Sequence, residues 1–318
     1  MNKSHPPKRR WYQFSLRTMI VLLVLCAVVL GWSYQRAAKN RQRVAAVAFM
    51  QELGGSVDLR YAKPRSATWL EGLFDDPGGA DDPIDGQSVS RVELNESNVS
   101  DAGLKRLKGL TNLEELHLYS TNVTDSGMEH LRGLRNLEEL DLSNTNVSDA
   151  GLEHFKELTS LQTLWLNDTK VSDAGLEHLK ELTSLQSLWL DNTKVTDAGL
   201  QHLTGLTKLA YLHLVGTKVS DAGLEHLKGM SSLKALVLRE SNVTNAALEH
   251  LKGLTNLQAL HLMETNVTDA GLEHLKGLTN LEYLNLARSN VTDEGVEKLQ
   301  EALPNCDIHS GGWAAAGR

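Results

Sequence analysis

LQTLWLNDTKVSDAGLEHLKELTS, residues 161–184, is followed without a gap by LQSLWLDNTKVTDAGLQHLTGLTK, residues 185–208. Shifted against itself by 24 residues, the chain returns this pattern from Val89 to the C-terminal end with no insertion. The leading leucine falls at Leu113, Leu137, Leu161, Leu185, Leu209, Leu233, Leu257 and Leu281. Val89 opens a divergent first copy, and residues 304–308 form a truncated tenth. Self-similarity at a fixed period of this length marks a solenoid of stacked units.

Within the unit, each L-x-L pair, such as Leu116/Leu118 or Leu164/Leu166, predicts a short strand with both leucines on one face. A tight turn follows at Thr121, Thr145, Thr169, Thr193, Thr217 and Thr265, with Ser97, Ser241 and Ser289 in the other copies. These hydroxyls are placed to tie turn backbone groups that would otherwise be buried unpaired. The Ser/Thr-Asp pair that comes next, as at Ser148-Asp149 and Thr196-Asp197, predicts a capping oxygen and a negative charge at a helix start. The helix behind it buries Leu176, Leu179 and Leu182. One unit cannot enclose these leucines alone, so neighbours stack to close the core and both ends need caps. The caps are assigned to the strand region at Ser56 and to Cys306-Asp307-Ile308.

This unit resembles the leucine-rich repeat. Its T-D-A-G-L variant is similar to the 24-residue type found in F-box leucine-rich-repeat proteins and in membrane-anchored bacterial proteins abundant in planctomycetes. The resemblance covers about 220 residues and implies an α/β solenoid, a horseshoe with a parallel concave β-sheet and convex helices. It implies little about activity, because the family is defined by its scaffold.

Outside the repeats the charge is uneven. Of 318 residues, 32 are Lys or Arg and 40 are Asp or Glu. Nine of the basic residues fall in residues 1–43, which hold no acid, so the remainder carries 23 basic against 40 acidic side chains, a net of −17. A body that acidic is repelled by phosphate backbones, which excludes nucleic acid as a partner. Two cysteines, Cys26 and Cys306, make neither a disulfide framework nor a CxxC zinc site. Residues 19–32, MIVLLVLCAVVLGW, carry no charge, and residues 16–34 reach the length of a membrane span if Arg17 snorkels. No small-x-small cleavage site follows, Leu25 before Cys26 spoils a lipoprotein box, and Trp11, Tyr12, Phe14, Trp32 and Tyr34 sit where interfacial aromatic belts lie. An uncleaved anchor is therefore expected, with the N-terminus inside and the repeats outside the cytoplasm. The order along the chain is a basic segment 1–17, a transmembrane anchor 18–35, a juxtamembrane helix 36–55, an N-terminal cap and linker 56–88, nine repeats over 89–304, and a C-terminal cap strand and tail 305–318.

Several periodic features are by-products of copying. A histidine ladder, His130, His154, His178, His202, His226, His250 and His274, is expected beside the buried helix face, where it packs. A row does not converge as metal ligands must, so no metal or other cofactor is assigned. The sequons at Asn122, Asn146, Asn242, Asn266 and Asn290 are fragments of the consensus. No nucleophile elbow, P-loop, HExxH or dinucleotide fingerprint is present.

Because the leucines are spent on the core, specificity falls to the variable residues of the concave strand face. The residue between the two strand leucines reads Glu93, His117, Asp141, Trp165, Trp189, His213, Val237, His261 and Asn285. Strands lie about 4.8 Å apart, so Trp165 and Trp189 are expected to be stacked neighbours, with Tyr211 and His213 on the next strand. Large solvent-facing aromatics dominate protein interfaces and stack on sugar rings, although two tryptophans that merely cover each other would need no ligand. Toward the N-terminal end, Glu93, Glu115, Glu139 and Asp141 form an acidic zone suited to a basic partner. The candidate ligand-binding residues are Trp165, Trp189, Tyr211, His213, His117, Tyr119, Glu139 and Asp141. The expected function is a non-catalytic, membrane-anchored recognition module for a protein or peptide, with a glycan as the other ligand class. A ubiquitin-ligase-like substrate receptor and a self-associating surface protein are the alternatives, and the oligomeric state stays open.

Overall fold

The computed structural model describes residues 16–61 and 87–311. Among the described residues, the cap strands and the L-x-L pairs give eleven strands: β1 (Ser56–Tyr61), β2 (Gln87–Glu93), β3 (Glu115–His117), β4 (Glu139–Asp141), β5 (Thr163–Trp165), β6 (Ser187–Trp189), β7 (Tyr211–His213), β8 (Ala235–Val237), β9 (Ala259–His261), β10 (Tyr283–Asn285) and β11 (Asp307–His309), with the L-x-L pairs in β3 to β10. They form one sheet in chain order. From β2 onward the pairing is parallel and in register, so Leu164 lies beside Leu188 and Leu188 beside Leu212. Strand β1 departs from the expected all-parallel sheet by pairing antiparallel with β2. An antiparallel neighbour needs no helical crossover, so β1 can close the first edge without being a repeat.

In β3 to β7 the middle leucine is buried and its two flanking residues face solvent. The turn after each strand contains one residue of left-handed backbone per copy, from Glu96 through Asp168 and Asn192 to Arg288, with Gly216 the glycine of the series. The hydroxyls do what the sequence predicts. Thr121, Thr145, Thr169, Thr193, Thr217 and Thr265 each donate to the carbonyl three residues back at 2.6–2.7 Å.

One expectation about the helices needs correction. Most repeats carry a single α turn that tightens into a 3-10 turn, as at Asp197–Leu200 followed by Gln201–Leu203. The leucines explain this: Leu200, Leu203, Leu206 and Leu209 are three residues apart, the period of a 3-10 helix rather than of an α-helix. Where Asn-Ala-Ala replaces Asp-Ala-Gly, the segment Asn245–Leu251 is continuous α-helix. Alanine in place of glycine favours a helix by about 1 kcal/mol.

The Ser/Thr-Asp pair also does more than cap its own helix. Side-chain capping occurs at Thr124, Thr196, Thr244 and Thr292, but Ser148, Ser172 and Ser220 make no such bond. The hydroxyls instead donate to the aspartate of the preceding repeat. Asp149 Oδ1 accepts from the Ser172 N–H at 2.7 Å and Oδ2 from the Ser172 hydroxyl at 2.6 Å. The same two-bond clamp joins Asp125 to Ser148, Asp173 to Thr196, Asp197 to Ser220 and Asp221 to Thr244. It also accounts for the glycine of Asp-Ala-Gly: a Cβ at Gly199 would stand 2.5 Å from Asp173 Oδ1. A carboxylate between repeats thus converts a local motif into an inter-repeat fastening.

Both ends are closed. Helix α1 (Leu16–Glu52) spans 37 residues, about 55 Å of rise, and buries Ala46, Val47 and Met50 against the first repeat. The Arg106 guanidinium lies 4.4 Å over the Phe49 ring there. At the other end Leu299, Leu303 and Cys306 are buried and β11 pairs with β10. Among the described residues no helix is long and apolar enough to cross a membrane. Residues 1–15, most side chains of the anchor expected at 18–35, the linker residues 62–86 and the tail residues 312–318 lie outside the described residues.

Candidate recognition face

The in-register sheet brings the variable column together. Asp141 pairs with Trp165, Trp165 with Trp189, and Trp189 with His213. The expected indole stack does not form: Trp165 and Trp189 are tilted by 42° with centroids 6.4 Å apart. Tilting avoids face-to-face repulsion of two electron-rich rings. The stacked pair is Trp189 on His213, at 3.6 Å and 13°.

Trp165 also reaches the ring of His117 at 5.9 Å, over the intervening strand β4. Side chains two strands away, about 9.6 Å by backbone spacing, meet here because the short Asp141 leaves room for the indole to lean. The result is a continuous row of His117, Trp165, Trp189 and His213, all half-buried. Val237, which is buried, ends it on the next strand. A second group, His261, Tyr283 and His309, begins beyond.

The other candidate residues are placed differently. Tyr211 stands in the adjacent column between Ser187 and Ala235, neither of which carries a ring, and is 42% exposed. Tyr119 is 39% exposed on the opposite side of the row, its N–H held by Asn95 Oδ1 at 2.9 Å. Asp141 turns back onto its own strand end, accepting from the Ser143 N–H at 2.8 Å. Glu139 lies beside Glu115 through the β3 and β4 register and joins Glu115 and His117 in a group in which one ligand atom from each residue lies within 4.8 Å of the others. Glu115 and Glu139 share the acidic zone expected from their columns, but His117 joins them only through the meeting of neighbouring columns on two strands. Its only sequence signal is the E-L-H and E-L-D pair at equivalent positions.

Arg91 organises the acidic end. It binds Glu93 by both Nε, at 2.8 Å, and Nη2, and its Nη1 lies 2.8 Å from Glu115 Oε2. The bond from Arg91, together with one from the Ser56 hydroxyl, holds the Glu93 carboxyl below its usual range. At the aromatic end, burial pushes the His213 imidazolium down to about 4, with His261 adding repulsion, so His213 is neutral at pH 7. Burial also raises the Asp191 carboxyl, against the bond it accepts from the Val215 N–H at 2.8 Å. The face therefore has a neutral aromatic middle and an anionic end.

A family model described as leucine-rich repeat region matches residues 126–313, and a second, leucine-rich repeat, matches residues 109–131. Among solved structures, internalin C2 from Listeria monocytogenes str. 4b F2365 is 27% identical with a TM-score of 0.52, over 64% of this chain and 81% of that one. A PEPR1-AtPEP1 structure is 19% identical with a TM-score of 0.49, over 72% of this chain and 35% of that one. No curated protein matches.

Proposed function

The chain belongs to the leucine-rich-repeat family, and from that premise we propose that it is a non-catalytic recognition module whose concave sheet face binds a protein or peptide segment. The observation that carries this reading is the ring row His117, Trp165, Trp189 and His213. Large rings with few rotatable bonds supply contact area at low entropic cost, and a solenoid holds them rigidly in register. A neutral His213 adds surface to that platform without a charge to desolvate. The carboxylates at the β2 to β4 end favour a ligand whose basic side chains point that way. Neither matching family model is that of an enzyme.

Panning a displayed peptide library on the full chain tests this. Selected peptides should bind the Trp165→Ala/Trp189→Ala variant at least about tenfold more weakly, a loss of about 1.4 kcal/mol. Equal binding by both proteins would remove the aromatic row from the function.

Membrane attachment is the second part of the proposal, and its support is the apolar run at residues 19–32 with its basic and aromatic flanks. On this reading the repeats face away from the cytoplasm. Extraction of the chain from membranes by alkaline carbonate, or cleavage of the repeats by protease only after the cytoplasmic side is opened, would overturn it.

A further inference from the structure

We propose that Glu115, His117 and Glu139 form a binding site for one first-row divalent cation of the Zn2+ class, at the acidic end of the recognition face. Their ligand atoms all lie within 4.8 Å of one another. Glu115 and His117 share a face of β3 two residues apart, and the parallel register sets Glu139 beside Glu115. The three donors thus come from rigid sheet positions rather than from loops.

The grouping is more than an acidic surface, because His117 Nε2 is buried and has no hydrogen-bond partner. A buried polar atom left unmet is costly, and native structures satisfy nearly all of them. A cation that took Nε2 as its imidazole ligand would satisfy it. Arg91 Nη1, 2.8 Å from Glu115 Oε2, acts as the outer partner that orients a ligating carboxylate. Among the described residues, Glu93, Glu115, Glu139 and Asp141 set four carboxylates on this end of the face beside the Arg91 guanidinium, so the local balance attracts positive charge.

The donor set selects the ion. One imidazole nitrogen and two carboxylates, without thiolate, suit Zn2+ and its first-row neighbours, whereas Mg2+ and Ca2+ prefer all-oxygen shells. With metal–ligand distances near 2.0–2.1 Å, tetrahedral neighbours stand about 3.4 Å apart. Closing from 4.8 Å to that spacing requires movements of about 1.4 Å, which rotation of two glutamate side chains provides. Three protein ligands leave a fourth position for a further ligand, as in zinc sites of that ligand count. This proposal stands apart from the peptide-binding reading, since it concerns the ion alone.

The test is a Zn2+ titration of the full chain in metal-free buffer at pH 7, by calorimetry and by Trp emission. One ion per chain should bind with a Kd of about 10 μM or tighter. Emission should change on binding, because the His117 ring lies 5.9 Å from Trp165. Glu139→Gln and His117→Ala should each weaken this site at least tenfold, Glu139→Gln serving if His117→Ala fails to fold. Replacing His154 and His178 on the helical side by Ala should leave it unchanged. Mg2+ at the same concentrations should not bind. The proposal is overturned if no saturable one-to-one event occurs, if Glu139→Gln binds as the unaltered chain does, or if the helical-side variant abolishes the event.

Discussion

Replacing Asp173 by alanine removes one inter-repeat clamp from the middle of the solenoid. Its Oδ1 accepts from the Thr196 N–H at 2.7 Å and its Oδ2 from the Thr196 hydroxyl at 2.7 Å. Hydrogen bonds to a charged group contribute about 1.5–3 kcal/mol each, and an acid in the first helical turn about 0.3–1 kcal/mol. The Thr196 hydroxyl can turn to water once released, so the backbone bond carries most of the loss. A destabilisation of about 2–3 kcal/mol is expected for Asp173→Ala. Asp173→Asn should cost less than about 1 kcal/mol, because the protein uses this replacement itself. Asn245 Oδ1 accepts from the Thr268 N–H at 2.9 Å, and its Nδ2 donates to the Thr268 hydroxyl at 2.8 Å. Thr196→Val, which deletes the hydroxyl bond to Asp173 and the long cap accepted from the Ala198 N–H at 3.4 Å, should fall between, at about 1–2 kcal/mol. Equilibrium urea unfolding of each variant, followed by far-ultraviolet circular dichroism, measures these differences. Because repeats depend on their neighbours, Asp173→Ala should also lower the urea dependence as the two halves begin to unfold separately. If Asp173→Ala costs no more than Asp173→Asn, the carboxylate does not fasten the repeats and the explanation of the Asp-Ala-Gly motif fails.

Burial holds His213 down to about 4 from an ordinary 6.5, so over that window the unfolded chain takes up a proton that the folded chain refuses. Its contribution is complete above about pH 6.5 and is lost as pH falls toward about 4, with a ceiling of about 3.4 kcal/mol that solvent screening of this half-buried ring lowers; His213→Phe should flatten the slope of urea stability between pH 7 and 4.5, and an unchanged slope would show that this histidine is not the cause. Burial also pushes the Cys306 thiol up to about 11, so in a Cys26→Ser variant it should resist a disulfide reagent at pH 8 until urea unfolds the C-terminal cap; rapid labelling of the folded protein would contradict this.

The repeat architecture was legible in the chain because a 24-residue period places every buried leucine by local rules alone, and Leu164 or Leu188 needs no distant information to face inward. The turn hydroxyls followed for the same reason, since Thr169 bonds a carbonyl only three residues away. The strict three-residue leucine spacing also held the reason for the 3-10 turns, once set against the α period. The partners across repeats were not legible. Asp149 finds Ser172 23 residues away, and that pairing competes with an equally reasonable local cap. On the recognition face, sequence columns named Trp165, Trp189, His213 and His117 and set their strands in order. Only side-chain packing decided that Trp189 stacks on His213 while Trp165 leans across Asp141 to His117. Likewise the grouping of Glu115, His117 and Glu139 exists because two columns of adjacent strands converge above the sheet. Backbone register is set by the periodic burial of leucine, whereas side-chain direction depends on the size of every neighbour on the same surface, a property of the assembled solenoid.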